Sequence, residues 1–313
     1  SSRTPPGRKK EARRLSQPFR ASISAVAIVL AWLLVSVQLA GQEGGGGDRF
    51  SKPIAGCPPL SRDFYPCANA KAKAFNPARN PDGTPNMNGA WNAGTATGSQ
   101  NIEDYAGDAF LGPARSLIVD PVDGKVPYLP KWATKKQDNF THYIDPIGTC
   151  YLTGVPRQVF APRGQAFIQS PGVFAIVSEF AHLYRTIPTD NSPHIGDSFH
   201  LYMGDSRGHW EGDTLVVDTT NLTDRTWLTI SGHFHSDALH VTERFTLVNA
   251  DTILYETTLV DSKVFTQPWT MAMPLMRMEK GHEVWEEPCL ESDHDLPYML
   301  KDHKIWLGLD PPK

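Results

Sequence analysis

The chain has 313 residues, with 30 Lys and Arg against 34 Asp and Glu; 40% of residues are hydrophobic and 20% charged. That balance excludes a disordered polyampholyte, a collagen and a multi-span membrane protein. The 26 Pro and 25 Gly argue against a long helical bundle and for turns, strands and ordered loops.

Charge is unevenly placed. Residues 1–20 carry seven basic side chains (Arg3, Arg8, Lys9, Lys10, Arg13, Arg14 and Arg20) and one acid, Glu11, while residues 21–41 carry no charge. The formal total is -4, so the body beyond residue 41 holds a net -10. An acidic body predicts no nucleic-acid partner, because duplex binding needs a basic face to displace counterions. The basic start is followed by the apolar run 23–37 and the small residues around Leu39-Ala40-Gly41. That order predicts a secretory signal peptide over residues 1–41. The alternative is an uncleaved N-terminal anchor, which would be the chain's one contact with a membrane. Either way the body is expected on the export side, periplasmic or secreted. Residues 42–52 form a Gly-rich spacer.

The four cysteines are Cys57, Cys67, Cys150 and Cys289. An even, small number in an exported chain predicts two disulfides. Three pairings exist. The expected one joins Cys57 to Cys67 in a short local loop and Cys150 to Cys289 as a long-range staple.

Residues 53–165 read as a Pro-rich irregular arm. Asn80-Pro81-Asp82-Gly83 and Asp120-Pro121-Val122-Asp123-Gly124 are turn chemistry, with Pro fixing φ and Gly supplying positive φ. One short helix is expected over 130–139. Buried aromatic side chains such as Trp91, Tyr128 and Trp132 would pin the arm to another body.

From residue 166 the pattern changes to alternation and β-branched runs. Strands are expected over 166–170, 173–180, 182–188, 199–203, 214–220, 238–248, 252–260, 269–278 and 283–287. Asn249-Ala250-Asp251 marks a hairpin. No helix of useful length intervenes, which disfavours a parallel sheet. Eight or nine antiparallel strands must hide their edges, and closing residues 166–290 into an up-and-down barrel does that. A two-layer sandwich is the competing architecture. Residues 291–313 are a C-terminal segment packed outside.

Two phrases carry a likeness. Gly204-Asp205-Ser206-Arg207-Gly208-His209-Trp210-Glu211-Gly212-Asp213 continues through Thr214-Leu215-Val216-Val217-Asp218 to Asn221, and His235-Ser236-Asp237-Ala238-Leu239-His240-Val241 runs on to Thr246. In both, with Gly89-Ala90-Trp91 and Gly154-Val155-Pro156-Arg157, the chain resembles a widespread family of exported bacterial proteins of uncharacterised function. The resemblance implies a mainly β, lipocalin-like body. It brings no activity and no catalytic residue.

Gly204-Asp205-Ser206-Arg207-Gly208 fits the G-x-S-x-G spelling of a nucleophile elbow. That elbow needs a helix after the Ser, and the sequence there reads as a strand, so a Gly-bracketed hairpin turn is expected instead. The densest polar cluster is 233–243. Extended backbone would put His233 and His235 on one face, where they and His240 have the residue types that hold zinc. The alternative is a polar loop whose imidazoles are hydrogen-bonded. Along the following strand Val241, Glu243 and Phe245 share a face, so Glu243 is expected to point inward, as an acid or base or as half of an ion pair with an Arg. Met271, Met273, Met276 and Met278 read as core filling.

Two functions fit. In the first, the barrel takes up a small, partly apolar molecule, lined by Trp210, Tyr255 and Trp269, with Glu243 or Arg244 orienting its polar end. In the second, His235, Asp237, His240 and Glu243 form an acid–base group, with or without zinc, in a secreted hydrolase or isomerase.

Overall fold

The computed structural model describes residues 52–93, 101–107, 113–287, 289, 305 and 306. The signal-peptide or anchor segment, nearly all of the spacer and most of the C-terminal segment lie outside the described residues.

Several segments preceding the expected barrel already hold regular structure. Helix α1 spans Ser61–Ala72, and strands β1 and β2 span Gly89–Ala93 and Ile118–Asp120. The expected helix over 130–139 is a short 3-10 turn, Pro130–Trp132, followed by α2, Lys135–His142. Strand β3 is Tyr143–Ile144, and α3 is the short helix Arg157–Phe160. The main strands then follow: β4 Gln165–Ser170, β5 Val173–Ser178, β6 Tyr184–Pro188, β7 Asp205–Glu211, β8 Thr214–Thr220, β9 His240–Asn249, β10 Thr252–Val260 and β11 Trp269–Arg277. A two-residue strand β12, Ile305–Trp306, pairs in parallel with β3.

One antiparallel sheet runs β6-β5-β4-β1-β11-β10-β9-β8-β7, with β2 adding to β11. It curls into a nearly closed barrel whose seam lies between β6 and β7. Gly208 of β7 lies against that seam. A Cβ there would sit 3.0 Å from Cγ2 of both Ile187 and Thr189. A residue without a side chain lets the two edges approach.

The interior follows from period-2 alternation. On β9 the side chains of Val241, Glu243, Phe245 and Leu247 are buried, while His240, Thr242, Arg244 and Thr246 are more open. Phe167, Phe174, Phe245 and Tyr255 pack inside as a cluster of rings, with Phe167–Phe174 and Phe245–Tyr255 centroids 5.1 and 5.0 Å apart. Met271 and Met273 fill the core beside them. Outside, α1 covers the sheet: Phe64 and Ala68 pack on Val248, Leu254 and Ala272. Tyr65 of α1 hydrogen-bonds with Glu256, and burial, followed by that carboxylate, pushes its phenol up to about 12.

Both expected disulfides are present, Cys57–Cys67 and Cys150–Cys289. Four expectations need correction. The barrel is not confined to residues 166–290, because β1 from the arm is the stave joining β4 to β11. Residues 199–203 form no strand. The Gly204–Gly208 phrase is not a turn: residues 205–211 form β7, and the hairpin turn lies at Gly212-Asp213. The β7–β8 ladder pairs Asp205 with Thr220 through Glu211 with Thr214, which spends the phrase on strand pairing. Residues 283–287 also form no strand.

Candidate functional site

Alternation brings one carboxylate into the apolar interior. Glu243 is fully buried, and so is nearly all of Arg185, which comes from β6. Arg185 Nη2 lies 3.2 Å from Oε1 and 2.9 Å from Oε2 of Glu243. Tyr255 donates its phenolic hydrogen to Oε1 at 2.9 Å. Burial, and then the negative charge of Glu243, push the Tyr255 hydroxyl well above its ordinary range, so it stays a donor. Thr257 lies opposite Glu243 in the β9–β10 ladder, and Trp269 lies opposite Leu259 in the β10–β11 ladder. Val217, Val241 and Met271 supply apolar walls.

This polar belt is incompletely satisfied. Arg185 Nε and Nη1, Thr257 Oγ1 and Trp269 Nε1 are buried without a hydrogen-bond partner. Glu243 Oε2 is in ionic contact with Arg185 but accepts no well-angled hydrogen bond. Each such group costs roughly 1–3 kcal/mol when left unpaired. Ser206 and Thr219, on the inward faces of β7 and β8, show the contrast: their hydroxyls meet at 2.9 Å. Ser206 is thus a strand residue with a satisfied hydroxyl, not an elbow nucleophile.

The sequence-selected residues divide among three places. Tyr255, Trp269 and Glu243 share the interior, and half-buried Trp210 packs against the same core. Arg244 does not join them. It is one residue out of phase with Glu243, lies on the outer face and pairs with Glu211 at 2.9 Å.

His233, His235 and Asp237 lie in the loop before β9. His233 is enclosed by Tyr128 and Asn101, whose oxygens are 3.2 and 3.3 Å from its two ring nitrogens. Burial, and then the Lys136 cation, hold its imidazole well below the usual 6.5. His235 places Nδ1 2.9 Å from the Ser236 carbonyl and Nε2 2.8 Å from the Thr226 hydroxyl. Burial lowers its pKa too. Asp237 is at the surface, bound to Lys263 at 2.6 Å.

His240 opens β9 on the outer face, where Asp218 of β8 holds it. The other oxygen of Asp218 is 3.0 Å from His194 Nε2, and His194 Nδ1 is 2.8 Å from Asp205. The hydrogen bond from Asp218 raises the pKa of His240. Burial pushes Asp218 up, but its bonds from His240 and His194 prevail and leave it below the ordinary carboxylate range.

The proposed acid–base group is therefore spread over both faces of the sheet and a loop. The three imidazoles considered as zinc ligands are each engaged separately. Among the described residues, no group of three or more His, Cys, Asp or Glu is arranged to hold a metal ion.

Sequence reasoning missed Arg185 and His194. Arg185 carried a readable signal. It stands two residues from both Leu183 and Ile187, in the apolar phase of its strand, where a cation needs a buried partner. His194 gave none, since it lies in a loop.

The chain matches no protein-family model, no curated protein and no solved structure. What defines its class is the fold: a nearly closed antiparallel barrel, an architecture compatible with ligand binding. Among the described residues no helix is long and apolar enough to cross a membrane.

Proposed function

We propose that this is an exported protein that binds a small, partly apolar molecule inside its barrel. The single observation that carries this reading is the set of incompletely paired groups on Arg185, Thr257 and Trp269 in a mainly apolar interior. Packing alone does not account for it, because buried polar atoms are almost always partnered. A ligand with a polar end would complete them, while its apolar part lies against Met271, Val217 and Val241. The two disulfides support export, since such bonds persist in oxidising compartments.

The test is titration of the purified full chain with N-phenyl-1-naphthylamine, an uncharged apolar fluorophore. Saturable one-to-one binding, displaced by organic extracts of the expression host's envelope, is expected. A folded, disulfide-intact protein that shows no saturable binding would overturn the reading.

A further inference from the structure

We infer that the ligand's polar end is an uncharged hydrogen-bond acceptor, such as a ketone, ester or amide carbonyl, rather than a carboxylate or an amine. This rests on the interior-binding reading above and deepens it. The argument is a count of what the belt has left to give. Arg185 keeps Nε–H and Nη1–H unpaired, and Trp269 keeps its indole N–H, a group that only donates. Thr257 adds a hydroxyl beside Tyr255 that makes no well-angled hydrogen bond. Around Arg185 the one acceptor with spare capacity is Glu243 Oε2, and Arg185 Nη2 already lies 2.9 Å from it; other buried unpartnered acceptors, Gln158 Oε1 and Gln165 Oε1, belong to α3 and the start of β4. A ligand oxygen with two lone pairs fits this surplus; a donor-rich head does not.

Charge settles the second half. Arg185 and Glu243 oppose each other inside the barrel, so the belt holds no uncompensated charge. A carboxylate brought there would be a buried anion with its cation already paired. An alkylammonium would face Arg185 beside a carboxylate that is already engaged. Desolvating either ion without a fresh counter-charge is strongly unfavourable, whereas a neutral carbonyl loses far less than an ion on leaving water and regains hydrogen bonds from the donors. Tyr255 adds no donor, because its O–H is given to Glu243, and its oxygen lies within reach of the Thr257 hydroxyl.

Three probes of equal chain length test this by isothermal titration of the full chain at neutral pH: 2-nonanone, nonanoate and nonylamine. The ketone is expected to bind at least about ten-fold more tightly than either ion. Trp269→Phe is expected to weaken ketone binding by about three- to ten-fold, the loss of one buried hydrogen bond, and to leave the ions' weaker binding unchanged. Thr257→Val serves as a second variant should Trp269→Phe fail to fold, with a smaller weakening in the same direction. Equal binding of all three, or tighter binding of an ion, sinks the acceptor assignment while interior binding stands. If none of the three binds and N-phenyl-1-naphthylamine also fails, the interior-binding reading itself falls.

Discussion

Arg185 of β6 and Glu243 of β9 meet inside the barrel although the sheet separates their strands by five others along its hydrogen-bonded path, β5-β4-β1-β11-β10. The shorter way round crosses the seam, past β7 and β8. The ion pair therefore ties the two ends of the sheet together from within. Removing one partner leaves a buried charge uncompensated, so Glu243→Leu or Arg185→Met alone should lower the unfolding free energy by about 3–5 kcal/mol. The double replacement should restore most of that loss, because two apolar side chains suit the surrounding core. Urea denaturation of the four proteins checks this. Single variants within about 1 kcal/mol of the parent would show that the pair is not the tie described.

The seam makes a second prediction. Gly208 has no positive φ to excuse it, so Gly208→Ala acts through contact, with Ile187 and Thr189 at 3.0 Å and Leu215 at 3.4 Å. Overpacking of this kind costs about 1–3 kcal/mol. If the contact is the cause, Ile187→Ala in the Gly208→Ala background should hurt less than Ile187→Ala alone. A coupling of at least about 0.5 kcal/mol is expected in the double-mutant cycle, and strict additivity would refute the contact argument.

Much of the barrel was legible because its strands alternate. Val241, Glu243, Phe245 and Leu247 share a phase, and the structure buries all four. The hairpin at Asn249 was legible from turn chemistry, and the β9–β10 ladder follows from it. Gly89–Ala93 was not, because a five-residue stave from a Pro-rich arm has no period of its own; its place between β4 and β11 is a tertiary fact. The stretch 205–211 was misread because Gly204, Gly208 and Gly212 look like turn punctuation, yet Gly208 is there for close approach. The inward carboxylate was readable from phase alone. Its partner lies 58 residues away and depends on closure of the barrel, which no local pattern encodes.

The long-range disulfide gives a third prediction. Cys150 and Cys289 are separated by 139 residues, so their link removes much of the freedom of the unfolded chain. Cys150→Ala with Cys289→Ala should cost about 2–5 kcal/mol. The Cys57–Cys67 link spans only 10 residues, so its loss should matter less. Peptide mapping without reductant checks the pairing, and chemical denaturation checks the ranking. A larger loss from the short link would contradict the entropic account.

The buried imidazoles set the response to acid. His233 and His235 have folded pKa values below the ordinary 6.5, and burial is the first cause for both. Unfolding releases them to take up protons, so stability is complete above 6.5 and falls as pH drops through that value. His240 works in the opposite sense: its raised pKa means the bond to Asp218 contributes below 6.5 and is lost as pH rises. Asp218, held low, keeps its share until pH falls below its ordinary 3.8. The His240–Asp218 pair is partly exposed and solvent-screened, so its effect is the smaller. The net expectation is a fall in unfolding free energy between about pH 6.5 and 5, approaching about 1.4 kcal/mol per pH unit for each fully neutral buried His. His233→Gln should flatten that slope whatever it does to the absolute stability. Urea midpoints measured across the range decide the matter: an unchanged slope in His233→Gln would mean that His233 is not held neutral in the fold.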